Sequence, residues 1–330
     1  MPWEIHILTV DPTQYRVVAE RATGKGLGRE TVSSMAKRRN AVAAINGGFF
    51  RIGGKFDGEP VGILKVDDRW YSDPGLPRAA LGWNLDQTWM AIDRLLMDWQ
   101  VRIGELTYPV DGINRVRGAT ETLLFTAAFN ATTLAGGGGC EVAVWPSGRR
   151  QVFREGNASI PEEGFVVSFG SRSGIDVAEV PPGAPVEVTY RFRSETGQAD
   201  ADEEWKRADF IVGGTPILLR NGQLMGQYEA EKVKESFITT RHPRTAVCRT
   251  SQGSWIFVVV DGRRPQTSVG MTLDELAGLM LELGCEDAMN LDGGGSSTFY
   301  LYGSVVNLPS DVLGERPVSD AILILNPDTE

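Results

Sequence analysis

One short segment combines a carboxylate with a flexible backbone and hydroxyl groups. Asp292 follows the apolar residues Met289 and Leu291, and directly after it come Gly293, Gly294, Gly295, Ser296 and Ser297. Glycines let a backbone turn sharply, with N–H groups that can point at a ligand. A carboxylate beside such a turn suits chemistry on a sugar or a phosphate. The alternative is a plain hairpin turn, for which Asp-Gly is typical but one or two glycines suffice.

The elements around this segment follow from hydrophobic patterning. A helix is predicted from Leu273 to Leu283, with a Thr-x-x-Glu capping box at its start and Gly284 at its end. The apolar run from Trp255 to Val260 predicts a strand buried on both faces, and another strand is predicted from Asp287 to Leu291.

Strand, helix and strand in this order predict a parallel pair of strands joined by a crossover. Asp261 and Asp292 directly follow the two strands. We therefore expect both carboxylates at one edge of the sheet, the edge at which open α/β sheets bind ligands.

Two parts of the chain resemble each other in the order of their motifs. The turn at Asn46, Gly47 and Gly48 is matched by Gly213-Gly214, and Pro77-Arg78-Ala79 is matched by Pro243-Arg244-Thr245. An internal duplication is one interpretation, and chance similarity between β-rich segments is the other.

Composition excludes several classes of function. The 330 residues carry a net charge of −10, which argues against a general binder of nucleic acid or of membrane surfaces. No apolar run approaches the roughly 20 residues that span a bilayer. The N-terminus lacks the features of a signal peptide, so we expect either a cytoplasmic protein or a leader that precedes this sequence.

The three cysteines, Cys140, Cys248 and Cys285, cannot form a full set of disulfides. They have no metal-ligand spacing, so we expect buried small residues and no zinc site. The charged segment from Tyr228 to Thr240 is expected to be a solvated helix, with a mobile lid as the alternative.

Six motifs in order resemble the phosphodiester glycosidase family over about residues 40–325. They are Asn46-Gly47-Gly48-Phe49-Phe50, the segment from His242 to Val247, Val260-Asp261-Gly262-Arg263, the Thr272 to Gly284 helix, the segment from Asn290 to Ser297, and Pro309-Ser310-Asp311 with Gly314-Glu315-Arg316-Pro317-Val318. The resemblance implies hydrolysis of a sugar, such as N-acetylglucosamine, from a sugar-1-phosphodiester. It also implies an extracytoplasmic or secreted protein acting on exopolysaccharide or related glycans. The chain departs from the family pattern at Cys248, where glycine is common, and at Asp320, which is often asparagine.

The side chains in these motifs suit that reaction. A phosphodiester is an anion, and Arg244, Arg263 or Arg316 could bind it with a two-pronged guanidinium, although surface salt bridges are the commoner role of arginine. Arg244 is the preferred candidate because Pro243 and a following strand would hold it in place.

Carboxyl groups are the usual catalysts of glycosidic cleavage. The candidates are Asp292, Asp261 and Glu315, and His242 could shuttle a proton or be an ordinary loop residue. Phosphate is a good leaving group, so one carboxylate assisted by arginine could suffice. The full set of expected substrate-binding residues is Asn46, Gly47, Gly48, Arg244, Thr245, Arg263, Asn290, Gly293, Gly294, Gly295, Ser296, Ser297 and Arg316.

We therefore predict an α+β fold with a mixed β-sheet core, many hairpins and few helices. Residues 1–40 should supply N-terminal strands that pack on a glycosidase-like domain formed by residues 41–325. The predicted function is glycosidic cleavage of a sugar-1-phosphodiester. A non-catalytic phosphoglycan-binding protein and a phosphodiesterase that attacks phosphorus are the alternatives. No cofactor is expected to be required, although Asp261 and Asp292 could hold calcium or magnesium.

Overall fold

The computed structural model describes residues 1–24, 26–175, 184–195, 201–226 and 228–327. Four short α-helices occur within these residues: α1 (Val32–Arg38), α2 (Ala201–Lys206), α3 (Glu235–Thr239) and α4 (Leu273–Glu282). The strands are β1 (Ile5–Val10), β2 (Arg16–Arg21), β3 (Ala43–Asn46), β4 (Phe49–Phe50), β5 (Pro60–Val61), β6 (Leu64–Val66), β7 (Arg69–Ser72), β8 (Arg78–Trp83), β9 (Met90–Ile103), β10 (Leu106–Val110), β11 (Gly112–Ile113), β12 (Thr122–Thr126), β13 (Cys140–Val144), β14 (Arg150–Phe153), β15 (Phe165–Phe169), β16 (Val186–Ser194), β17 (Phe210–Gly213), β18 (Ile217–Arg220), β19 (Gln223–Leu224), β20 (Arg244–Thr250), β21 (Trp255–Val260), β22 (Cys285–Asn290), β23 (Phe299–Leu301), β24 (Ser304–Val305) and β25 (Asp320–Leu325).

The strands form four larger sheets and one two-stranded ribbon. Their spatial orders are β1-β21-β20-β22-β18-β19, then β10-β9-β8-β17-β6-β7 with β16 also on β9, then β11-β12-β15-β13-β14, then β2-β25-β3-β23-β24, and finally β4-β5. Among the described residues, neighbouring strands are antiparallel except for β11 and β12. The predicted α+β fold with a mixed core is therefore wrong, because hairpins and antiparallel sheets build the protein and helices contribute little.

The helix α4 confirms the predicted capping box. The Thr272 side chain accepts a hydrogen bond from Glu275 N at 3.1 Å, and the Glu275 side chain accepts one from Thr272 N at 2.9 Å. Leu273, Leu276 and Met280 pack this helix against one face of the six-stranded sheet. Strand β21 is buried on both faces, as predicted, because its alternate residues join two different hydrophobic clusters.

The two predicted strands, β21 and β22, are parallel and joined through α4, but they are not neighbours in the sheet. Strand β20 lies between β21 and β22 and is antiparallel to both. Because both β21 and β22 are antiparallel to β20, they run in the same direction and end at the same edge of the sheet. Asp261 and Asp292 therefore emerge at one edge, although by a different topology from the one expected.

The first 40 residues contribute strands to two sheets. Strand β1 pairs with β21, and β2 pairs with β25 near the end of the chain. Val17, Val18 and Ala19 of β2 lie in the largest hydrophobic cluster, which the strands β3, β21 and β25 also line. The division into residues 1–40 and 41–325 remains a prediction.

Cys248 and Cys285 form a disulfide between β20 and β22, with Cα atoms 5.8 Å apart. The prediction that the cysteines are merely buried small residues is wrong for this pair. The pairing was not visible in the sequence because the two cysteines are 37 positions apart, with β21 and α4 between them. None of the described helices is long and apolar enough to cross a membrane.

The segment from Tyr228 to Thr240 is not the expected solvated helix. It contains a short turn of helix and then α3, and its Tyr228 and Glu231 side chains are buried. Glu231 Oε2 accepts hydrogen bonds from Ala79 N at 3.0 Å and Thr215 Oγ1 at 2.9 Å. This buried carboxylate ties the segment to β8.

Candidate active site

Asp292 lies between the end of β22 and a glycine turn. Its backbone N donates to Gly47 O at 3.2 Å, and its backbone carbonyl accepts from Asn46 Nδ2 at 2.8 Å. Gly293 N donates to Asp292 Oδ1 at 2.8 Å. Burial raises the pKa of Asp292 to about 6, and the negative charge of Asp320 acts in the same direction. Asp292 is thus a half-buried residue whose carboxyl pKa is displaced towards neutral pH.

The glycine turn brings Asp292 close to other backbone and to arginine. A Cβ atom on Gly293 would lie 2.7 Å from Pro243 O, and one on Gly295 would lie 2.3 Å from Arg316 Nη2. Any larger residue at Gly293 would therefore push the turn away from the start of β20. The N–H groups are less available to a ligand than expected, because Gly294 N donates to Pro243 O at 2.9 Å.

Two guanidinium groups flank this turn. Arg316 Nε donates to Asp311 Oδ2 at 2.6 Å, and its Nη1 lies 3.4 Å from Ser296 Oγ. The Arg316 side chain is 25% exposed, and its charge lowers the pKa of Asp292 against the effect of burial. Arg263 is exposed on the other side and donates to Ser310 Oγ at 3.2 Å. The positive charge beside the glycine turn therefore comes from the side chains of Arg316 and Arg263, and not from backbone N–H groups.

Arg244 is placed differently from the expectation. Its guanidinium is buried and donates to the carbonyl oxygens of Met271, Phe237 and Thr240 at 2.9, 2.8 and 3.0 Å. The guanidinium carbon lies 4.7 Å from the centre of the Phe237 ring. Burial lowers the pKa of Arg244 to about 10. These contacts hold α3 against the six-stranded sheet, and they leave Arg316 better placed to receive a phosphate.

Asp261 shares the sheet edge with Asp292, but its carboxylate holds a loop. Its Oδ1 accepts from Asn307 Nδ2 and its Oδ2 from Leu308 N, both at 2.9 Å. Burial alone would raise the pKa of Asp261, but His6 and these two hydrogen bonds lower it below its ordinary value. The buried, ionised carboxylate of Asp261 therefore anchors the segment that follows β24.

Glu315 and His242 lie near the site with other contacts. Glu315 Oε1 accepts from Ser33 N at 2.7 Å and Oε2 accepts from Ser33 Oγ at 2.6 Å, which fixes the chain before Arg316 to the first turn of α1. His242 is bridged through its backbone to Met271. Burial, followed by the charges of Arg244 and Arg263, lowers the pKa of His242, which favours the neutral imidazole.

The expected polar ligands of a sugar form a buried layer beneath the turn. Asn46 Oδ1 accepts from Thr245 Oγ1 at 2.8 Å and from Thr298 N at 3.2 Å. Thr245 Oγ1 also lies 3.2 Å from Ser297 Oγ. Asn290 Nδ2 donates to Thr215 O at 2.7 Å. Most of these polar atoms are used within the protein, so the residues support the turn from below, whereas the buried Asn290 Oδ1 has no hydrogen-bond partner.

Sequence reasoning did not select Asp320 as a site residue. This residue is 1% exposed, and its Oδ1 accepts from Gly48 N at 2.8 Å. Burial raises its pKa above the ordinary value. A visible signal was present, since Asp320 opens the otherwise apolar strand β25. In the part of the chain that the structure describes, no group of three or more His, Cys, Asp or Glu side chains is arranged to hold a metal ion.

Known proteins resemble this chain in sequence and in fold. A sequence profile described as phosphodiester glycosidase matches residues 138–325, more than half of the chain. A Rickettsia conorii protein described as uncharacterized is 26% identical over 231 residues, which cover 69% of this chain and 77% of that protein. The Bos taurus N-acetylglucosamine-1-phosphodiester alpha-N-acetylglucosaminidase is 34% identical over 110 residues, covering 31% of this chain and 20% of that enzyme. A crystal structure of a putative exported protein from Burkholderia pseudomallei has the same fold, with a TM-score of 0.82, 24% identity, and coverage of 98% of this chain and 74% of that one.

Proposed function

Because the chain belongs to the phosphodiester glycosidase family, we propose that it hydrolyses the glycosidic C–O bond of a sugar-1-phosphodiester at Asp292. The observation that carries the proposal is the meeting of Asp292 and Arg316 across the Gly293–Ser296 turn. A carboxylate can stabilise the positive charge that develops at the anomeric carbon, and a guanidinium can stabilise the departing phosphate.

The reaction divides between these two side chains. With a pKa of about 6, Asp292 is ionised at pH 7 and can stabilise positive charge that develops on the sugar ring. Arg316 offers its remaining donors to the phosphate oxygens while Asp311 holds its Nε. Phosphate leaves readily, so this mechanism needs no second carboxyl group as a strong acid. We expect kcat to rise with pH through about 6 as Asp292 loses its proton.

The substrate and the cellular location are also proposals. The name of the bovine relative makes N-acetylglucosamine the first sugar to test. Two observations support action on exported or cell-surface glycans. The Cys248–Cys285 disulfide is of a kind that persists in oxidising compartments, and the Burkholderia neighbour is described as a putative exported protein.

Hydrolysis in 18O-labelled water tests the proposed bond cleavage. UDP-N-acetylglucosamine and a simple alkyl phosphodiester of N-acetylglucosamine are suitable first substrates, each with and without EDTA and then with added Ca²⁺ or Mg²⁺. We expect the label in the released sugar, as read by mass spectrometry. Label in the phosphate would identify a phosphodiesterase. Binding without turnover of any sugar phosphodiester would identify a glycan-binding protein.

Arg316→Lys should weaken hydrolysis of phosphodiesters selectively. Lysine keeps the positive charge but loses the planar fork, so one charge-assisted contact to phosphate is lost. We expect kcat/KM to fall about 10- to 100-fold, or about 1–3 kcal/mol, on a sugar-1-phosphodiester. An aryl glycoside of the same sugar should lose much less.

Arg193→Lys is the matched control, because Arg193 is an exposed arginine paired with Asp98 on β9. This variant should match the wild type on both substrates. Equal losses by Arg316→Lys on the phosphodiester and the aryl glycoside would assign Arg316 to the sugar or to the fold. The phosphate role would then pass to Arg263.

A further inference from the structure

The buried carboxyl group of Asp320 lies directly behind the candidate catalytic residue. Strand β25 pairs with β3, so Asp320 is beside the Gly47-Gly48 turn that follows β3. Gly48 N donates to Asp320 Oδ1 at 2.8 Å, and Gly47 N donates to Asp320 O at 2.9 Å. A Cβ atom on Gly47 would lie 2.0 Å from Asp320 Oδ1. The carboxylate and the turn are therefore in close contact.

The same turn contacts Asp292 on its other side. Gly47 O accepts from Asp292 N at 3.2 Å, while Asn46 Nδ2 donates to Asp292 O at 2.8 Å. The backbone of Gly47 thus links Asp320 to Asp292, because it is hydrogen-bonded to both residues. A shift of the Gly47-Gly48 turn would move the Asp292 backbone and with it the carboxylate.

Asp320 also places a second carboxyl group near Asp292, and its charge when ionised raises the pKa of Asp292. The nearest buried cation is Arg21, whose guanidinium donates to the carbonyl oxygens of Gly26, Gly28, Gly58 and Ser319. Within the described residues, Asp320 forms no ion pair within 4 Å, so Arg21 lowers the pKa of Asp320 only from a longer distance. Like charges in a buried environment disfavour ionisation of each other.

We propose that Asp320 is a positioning residue for Asp292, one that holds the Gly47-Gly48 turn and whose negative charge disfavours ionisation of the Asp292 carboxyl group. This inference rests on the proposed function of Asp292 at the glycosidic bond. The charged groups that act on Asp292 are Arg316 from the segment before β25 and Asp320 from β25. Around them lie Asp311, which holds Arg316, then Arg263, which lies beside Gly294, and His242, whose charged neighbours are Arg244 and Arg263.

Asp320→Asn tests the role of the charge with little change of shape. An amide oxygen can still accept from Gly48 N, while the negative charge is removed. The pH at which Asp292 titrates should fall by roughly 0.5 to 1.5 units. The same shift should appear in the limb of the kcat profile near pH 6. If Asp320 had a purely structural role, Asp320→Asn would lower kcat without changing the pH at which kcat rises.

The titration is measured directly by 13C NMR of protein labelled at the aspartate carboxyl carbons. The Asp292 resonance is the one that Asp292→Asn removes. This readout requires no turnover, so it is informative even if no sugar phosphodiester is hydrolysed. In the wild type, the Asp292 resonance should also show a second inflection as Asp320 titrates, a measurement that does not require the Asp320 variant to fold.

Asp73→Asn is the matched control. Asp73 is another buried aspartate whose pKa is raised to about 6 by burial, and its charged neighbours are Arg115 and Glu121. This control should leave the Asp292 resonance and the kcat profile unchanged. The proposal is overturned if Asp292 titrates at the same pH in wild type and Asp320→Asn, or if the wild-type Asp292 resonance shows no inflection from Asp320.

Discussion

Asp292→Asn should remove most turnover while leaving the fold intact. Asparagine has nearly the same shape but cannot ionise, so it cannot stabilise the charge that develops on the sugar. We expect kcat on a sugar-1-phosphodiester to fall roughly 100- to 10,000-fold, the scale of one catalytic acid or base group. Steady-state rates of sugar release measure the loss. A variant that retains wild-type kcat would exclude Asp292 from catalysis.

The stability of the same variant provides an independent check on Asp292. The pKa of Asp292 is raised by burial from 3.8 to about 6, so folding favours the protonated carboxyl group. The corresponding stabilisation is present below pH about 4 and is lost as the pH rises through about 6. Compared with the wild type, Asp292→Asn should therefore gain stability at pH 8 relative to pH 4. Urea unfolding at both pH values measures this difference, and an unchanged difference would contradict the raised pKa.

Arg244→Met should destabilise the protein by about 2–4 kcal/mol, because three carbonyl oxygens lose a buried donor. The Arg244 guanidinium now satisfies Met271, Phe237 and Thr240 at once. Methionine fills much of the same volume but offers no hydrogen bond. The free energy of unfolding in urea is the measurement, and Arg193→Met serves as the control at an exposed ion pair.

The result for Arg244→Met also separates two roles for this arginine. If Arg244 holds α3 against the sheet, stability should fall and the residual activity should be similar on phosphodiesters and aryl glycosides. Unchanged stability together with a selective loss on phosphodiesters would return the phosphate-binding role to Arg244.

Several local features could be predicted from the sequence because their causes lie close together in the chain. The capping box of α4 needs only Thr272 and Glu275, which are three residues apart. The unbroken apolar run of β21 required burial on both faces. The glycine turn after Asp292 was visible as three consecutive glycines in the sequence. The ordered motifs around it resembled the family to which the chain belongs.

The tertiary structure alone decided which distant residues meet. Hydrophobic periodicity does not specify strand order, so the insertion of β20 between β21 and β22 and the Cys248–Cys285 bridge could not be predicted. Side-chain direction depended on packing as well, which turned Arg244 toward backbone carbonyls. Asp320 and Gly48 are 272 residues apart and meet because β25 pairs with β3. Contacts of this range arise from burial of whole sheets, a property of the entire chain that no short segment contains.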